Sequence, residues 1–194
     1  MMKKNDKFFL SICIFALISA GIPAVSAWSQ GQSWNDNPEH IAAMQAYVVY
    51  SGELYKAKMD GAIAYISSLN DPTGSGNLQA DEQQFLTTVF SVKTVSTASA
   101  IEQGRGTMKT EIGQFRTDLQ ADFSADKGNL DALKKAVADA ESQDQTTIQS
   151  RDNAYWTALE TSRLDEFTYN DGHRTAALAN LTAKGVDVNI SPAC

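Results

Sequence analysis

Residues 38–69, PEHIAAMQAYVVYSGELYKAKMDGAIAYISSL, decide the fold class. Ile41, Met44, Val48, Tyr55, Met59, Ala62, Ile66 and Leu69 recur along this stretch in eight steps over 28 residues, with Ser51 filling the missing one. The mean spacing of 3.5 residues is that of a helical seam, since a strand would alternate every second residue. Tyr47, Tyr50, Leu54, Ile63 and Tyr65 widen the apolar face, so the helix is expected to touch more than one neighbour. Asp36 or Asn37 followed by Pro38 and Glu39 marks its start: a capping side chain, a proline in the first turn, and an acid at the positive end of the helix dipole.

The pattern continues beyond it. Prolines occur only at positions 23, 38, 72 and 192, which leaves Thr73 to Ser191 free of the strongest helix breaker. Asn70 to Asn77 consists of turn formers and reads as a loop, with a second helix from about Leu78. Phe85, Val89, Val92 and Ile101 lie on one face of that helix, and Met108, Ile112, Phe115, Leu119 and Phe123 resume the stripe. Gly104 and Gly106 fall between the halves and cost about 2 kcal/mol of helix propensity against alanine, which predicts a break, a kink or a close-contact point. Asp126 to Asn129 reads as a turn, followed by Leu130, Leu133 and Val137, a polar run, and then Tyr155, Trp156, Leu159, Leu164 and Phe167. Asn170-Asp171-Gly172 is a further expected interruption, and Gly185 an expected helix end.

These elements predict an all-α chain of long antiparallel helices, with a single bundle domain over 38–186. Two shapes fit. Residues 107–147 either project as a hairpin from a three-helix bundle, or fold back to complete a compact four-helix bundle. The narrow apolar stripe and charged outer faces of 107–147 favour projection.

At the N-terminus, Lys3, Lys4 and Lys7 precede an apolar run over Phe8 to Ile22, and Val25 and Ala27 stand at −3 and −1 of a signal-peptidase site. We read residues 1–27 as a cleaved signal peptide rather than a retained anchor, because the run is shorter than the roughly twenty residues a stable span needs. Residues 28–37 read as a flexible arm and 187–194 as a tail. Loss of Lys3, Lys4, Lys7 and Asp6 takes the net charge from −7 to −9. An acidic chain without a basic cluster argues against nucleic acid and against anionic membrane surfaces. The expected location is extracytoplasmic: periplasmic, cell-surface or secreted.

Chemistry-bearing motifs are scarce. The chain has no nucleophile elbow, zinc-protease, paired-cysteine, phosphate-loop or dinucleotide-binding signature. No cofactor and no metal site is expected: Asp171 and His173 with Asp165 and Glu166 could make a divalent-metal site, but one histidine with scattered acids reads rather as a solvated surface, since a metal needs three or four convergent ligands. Asp118 and Asp122, beside Arg116, read as a solvated acidic face. Arg151 and Asp152, just before Tyr155 and Trp156, are the candidate polar layer, which either fixes helix register or lines a small-ligand pocket. After signal cleavage Cys194 is the only thiol, a candidate for an interchain disulfide or a passive group on the tail. Asn180-Leu181-Thr182 matches a glycosylation triplet inside a predicted helix whose Leu181 is expected to pack. The functional expectation is an exported, non-enzymatic protein that binds a protein partner or itself. The alternative is a sensor-type bundle that binds a small ligand.

Overall fold

A computed structural model describes residues 37–184. The expected signal peptide, the arm before Asn37, Gly185 and the tail with Cys194 lie outside the described residues. Five helices follow in order: α1 (Pro38–Ser68), α2 (Pro72–Lys93), α3 (Ala98–Ala125), α4 (Leu130–Gln143) and α5 (Gln145–Ala183). No strand occurs among the described residues.

The capping signals act as their chemistry dictates. The Asn37 side chain accepts from the backbone N–H groups of Glu39 and His40, and Pro38 occupies the first turn, where no donor is needed. The predicted loop at 70–77 is much shorter than expected. Asn70 takes the left-handed conformation (φ 62°) that closes α1, Asp71 caps Gly74, and Pro72 opens α2 at once. The turn formers at 73–77 are thus a helical first turn, with Gly74 and Ser75 buried. A proline one residue after a capping aspartate starts a helix rather than preventing one.

The break expected at Gly104 and Gly106 is also corrected. α3 runs through both glycines without interruption, and the chain turns instead at 94–97, where Thr97 caps Ala100. Gly104 is a close-contact point: a Cβ there would sit 2.0 Å from Val92 Cγ2, whereas at Gly106 it would meet nothing within 4 Å. The expected interruption at Asn170 to Gly172 is absent, and α5 continues to Ala183. The polar run after Val137 does contain a break, at Asp144, between α4 and α5.

α1 is the central element and packs against each of the other four. α2 returns antiparallel to it, placing Tyr55 against Phe85 and Gly52 against Val89. α3 runs parallel to α1, with Phe123 beside Tyr65 and Arg105 beside Tyr47. α4 and α5 then run back along α1 as one broken rod. Gly61 meets the backbone of Ala136 and Val137, Lys58 pairs with Glu141 at 3.6 Å, Tyr50 stacks on Tyr155, and Asn37 donates to Asp165 at 2.7 Å.

This is the compact four-helix arrangement, and residues 107–147 do not project. Phe115, Leu119, Phe123, Leu133 and Val137 are buried in the same core as Val48, Met59, Ile66, Leu78 and Phe85. The turn between α3 and α4 is held by a left-handed Lys127 (φ 55°) and by Gly128 N–H donating to Phe123 O at 2.8 Å. Tyr65 of α1 seals it by accepting from the Asn129 N–H.

The element that leaves the bundle is instead the end of α5. Asn37, the cap of α1, lies against Asp165, so residues 167–183 of the antiparallel α5 run past the start of α1. That is about 25 Å of helix at 1.5 Å per residue. Every residue in it is exposed except Leu178, which is partly so.

Candidate functional site

The sequence-predicted polar layer lies where α5 crosses the first half of α1, and the structure divides its four residues. Tyr155 sits edge-on to Tyr47, with centroids 5.1 Å apart, and parallel to Tyr50 at 6.3 Å. Asp152 is partly buried nearby, and its charge acts on both Tyr50 and Tyr155. Burial raises the hydroxyl pKa of Tyr47, Tyr50 and Tyr155, so the three phenols stay neutral at physiological pH. Trp156 tilts against Tyr155 but remains 54% exposed, facing away from the bundle.

Arg151 does not form the expected buried layer. Its side chain is half exposed and reaches Glu53 only at 3.9 Å. A pair of that kind contributes about 0–1 kcal/mol. Arg151→Ala should therefore leave the melting temperature almost unchanged, and a drop of many degrees in a thermal melt would contradict this placement.

The buried guanidinium is Arg105, which sequence reasoning treated only as the residue between two glycines. It is 7% exposed, lies 5.1 Å over the Tyr47 ring, and donates to Glu102 at 2.5 Å, while its Nε makes no hydrogen bond among the described residues. His40 of α1 completes the layer between Glu166 and Glu102. Burial lowers its pKa, and the two carboxylates partly oppose that change. One sequence signal could have found this layer: on α3, Arg105 shares the stripe of Ile101, Met108 and Ile112 at helical spacing.

Asp118 and Asp122 do not form the solvated face expected of them. Both are partly buried at the α2–α3 contact, where their charges act on Asp81. Burial, with these neighbours, pushes the Asp81 carboxyl up to about 6. On the next α2 residue, Glu82 is pushed up to about 7 by burial and by Asp60 of α1, against the opposing charge of Lys56. These carboxyl pairs sit at helix contacts.

Chemically, the tyrosine and Arg105 layer is a contact between α1, α3 and α5. Arg105 is matched by Glu102 and by the face of the Tyr47 ring. A depression lies on α5, lined by Asp165, Thr168, Tyr169, Gly172, His173 and Ala176, with no second helix opposite among its lining residues. His173 packs edge-on to Tyr169 at 4.2 Å. Among the described residues no group of three or more His, Cys, Asp or Glu side chains could hold a metal ion, and no helix is long and apolar enough to cross a membrane.

Phe90 of α2 is 70% exposed on its own, and an apolar row lies exposed on the outer side of α5. Leu164 is 65% exposed, Phe167 73% and Leu181 40%, so the packing expected of Leu181 does not occur within the described chain. Comparison of the chain with protein-family models, with curated proteins and with solved structures finds no match.

Proposed function

We propose that this chain is an exported, non-catalytic helical protein that acts by assembling with a protein partner outside the cytoplasmic membrane. The observation that carries this reading is the end of α5. A helix that outruns its bundle with Leu164, Phe167 and Leu181 in solvent keeps apolar area uncovered, at a cost that a partner removes. The charge and leader of the sequence supply the rest. An acidic chain repels phosphate backbones, and residues 1–27 carry the pattern of an export signal.

Cross-linking in the native cells tests it, read by immunoblot of the chain. The expected result is an adduct heavier than the single chain, lost in a Phe167→Glu, Leu181→Glu variant. A parent chain that stays single, or an adduct indifferent to the variant, would overturn the reading.

One observation favours a second reading, a small-ligand site between α1, α3 and α5. Arg105 is buried with Nε free of a hydrogen bond among the described residues, beside Tyr47 and Tyr155. A small anion that raises the melting temperature by several degrees, and fails to do so with Arg105→Met, would support it. No such rise across a screen of anions would remove it.

A further inference from the structure

The outer row of α5 has an order of its own. Leu164, Phe167, Asp171, Arg174, Leu178 and Leu181 follow one another at spacings of three, four, three, four and three residues. That is the a/d pattern of a coiled-coil seam, and at about 100° per residue it occupies one stripe of the helix. The stripe is turned away from the bundle, whose side of α5 is marked by buried Ser162, by Asp165 on Asn37 and by Glu166 near His40. Its two middle positions are charged, with opposite signs.

We propose that the end of α5 pairs antiparallel with α5 of a second copy of this chain, about a two-fold axis between Gly172 and His173. This deepens the assembly reading and rests on it. In that register Leu164 faces the copy's Leu181, and Phe167 faces the copy's Leu178. Asp171 faces the copy's Arg174, and the same three contacts repeat on the other side of the axis. The row is therefore self-complementary in both hydrophobicity and charge, the requirement for an isologous interface.

A parallel pair would instead set Asp171 on Asp171 and Arg174 on Arg174, two like-charge layers inside a seam. An apolar partner or a lipid surface would offer Asp171 and Arg174 no charge to meet while desolvating both, which is costly. The flanking positions suit close approach. Thr168 and Thr182 turn their hydroxyls onto their own helix, donating to the carbonyls of Leu164 and Leu178, and Ala177 is small. The charged central layer also sets the register, as a buried polar layer does in coiled coils.

Sedimentation of residues 28–194 carrying Cys194→Ser, which excludes disulfide dimers, tests the pairing over a wide concentration range. The expected species is a dimer that dissociates on dilution. Asp171→Arg alone and Arg174→Asp alone should each weaken it about tenfold or more, because each variant opposes like charges twice. An equimolar mixture of the two should restore pairing, since every central contact is again Asp with Arg. Leu164→Glu with Leu178→Glu should be monomeric. All four positions are exposed or partly so, so circular dichroism and the bundle's melt should not change. A parent chain that stays monomeric throughout would overturn the proposal, as would a dimer indifferent to charge reversal. The cross-linked adduct in cells separates this failure from failure of the wider reading. A mass other than twice the chain's would discard self-pairing and keep assembly, and no adduct would discard both.

Discussion

Gly61→Ala should destabilise the bundle by about 2–3 kcal/mol, although alanine is the better helix former by about 1 kcal/mol. A Cβ at Gly61 would lie 2.6 Å from Val137 Cα, 2.7 Å from Ala136 O and 2.9 Å from Val137 N. All three are backbone atoms of α4, so no side chain can rotate away. Ordinary carbon contacts need about 3.5–4.0 Å, and α4 must therefore move off α1. That movement opens the packing of Leu133 and Val137, both buried, and the Lys58–Glu141 pair beside them. Gly61→Val adds two further carbons and should cost more than about 3 kcal/mol. Gly106→Ala is the matched control. Its Cβ would meet nothing within 4 Å on an exposed helical position, so a gain of roughly 0.5–1 kcal/mol is expected. Urea unfolding of the three variants reads the order directly, and a neutral Gly61→Ala would mean that α4 does not seat on α1 as described.

The second large effect is a pH dependence set by Glu82 and Asp81. Their folded pKa values of about 7 and about 6 lie above the roughly 4 of unfolded carboxyls. Between those limits the folded chain holds protons that the unfolded chain has released, so stability falls as pH rises from about 4 to 7. Below that window the two groups carry no penalty, and above it the penalty is complete. Each tenfold gain in proton affinity on folding corresponds to about 1.4 kcal/mol before screening, but both carboxyls are partly open to solvent. Discounted for that exposure, the pair should cost about 1–2 kcal/mol at pH 7.5.

The groups facing Glu82 are Asp60 and Lys56, which pair with each other, and those facing Asp81 are Asp118 and Asp122. A Glu82→Gln, Asp81→Asn variant should then melt about 3–6 °C above the parent at pH 7.5 and level with it near pH 4. A gain that is equal at both pH values would show that proton uptake is not its cause.

How far the sequence was legible depends on what each signal competes with. The 3.5-residue stripe of α1 and its Asn37 and Pro38 start were plain, because α1 is buried on several sides and carries its core residues in strict order. The turn at 94–97 was not, since Thr94, Val95, Ser96 and Thr97 hold neither glycine nor proline, and only the Thr97 hydroxyl marks it. Gly104 and Gly106 pointed to a break because propensity counts what glycine lacks. In the fold, Gly104 is the space that Val92 fills, and α3 continues through it unbroken.

Charged outer faces suggested that residues 107–147 project, yet the outer helices of a closed bundle carry such faces too. Contacts between helices separate the two cases, such as Val137 on Gly61 and Tyr65 on the α3–α4 turn, and no single-helix pattern reports them. The reverse error occurred on α5. Leu164, Phe167 and Leu181 look like a core stripe when written in line, and their exposure becomes visible only once Asn37 is known to meet Asp165. Arg105 was missed for a similar reason. Its two glycine neighbours read as a break, which hides a cation on the stripe of Ile101 and Met108, and the Tyr47 ring and Glu102 let it stay inside.

The bundle is closed, and the pairing proposed for two copies of the chain runs along the outer row of α5. Disulfide trapping between two single-cysteine variants in the Cys194→Ser background tests it most directly. Leu164→Cys mixed with Leu181→Cys should give a cross-linked pair under mild oxidation, and each variant alone should give almost none. Cross-linking within each variant alone, equal to or above that of the mixture, would mean parallel or random contact and would rule out the antiparallel pair.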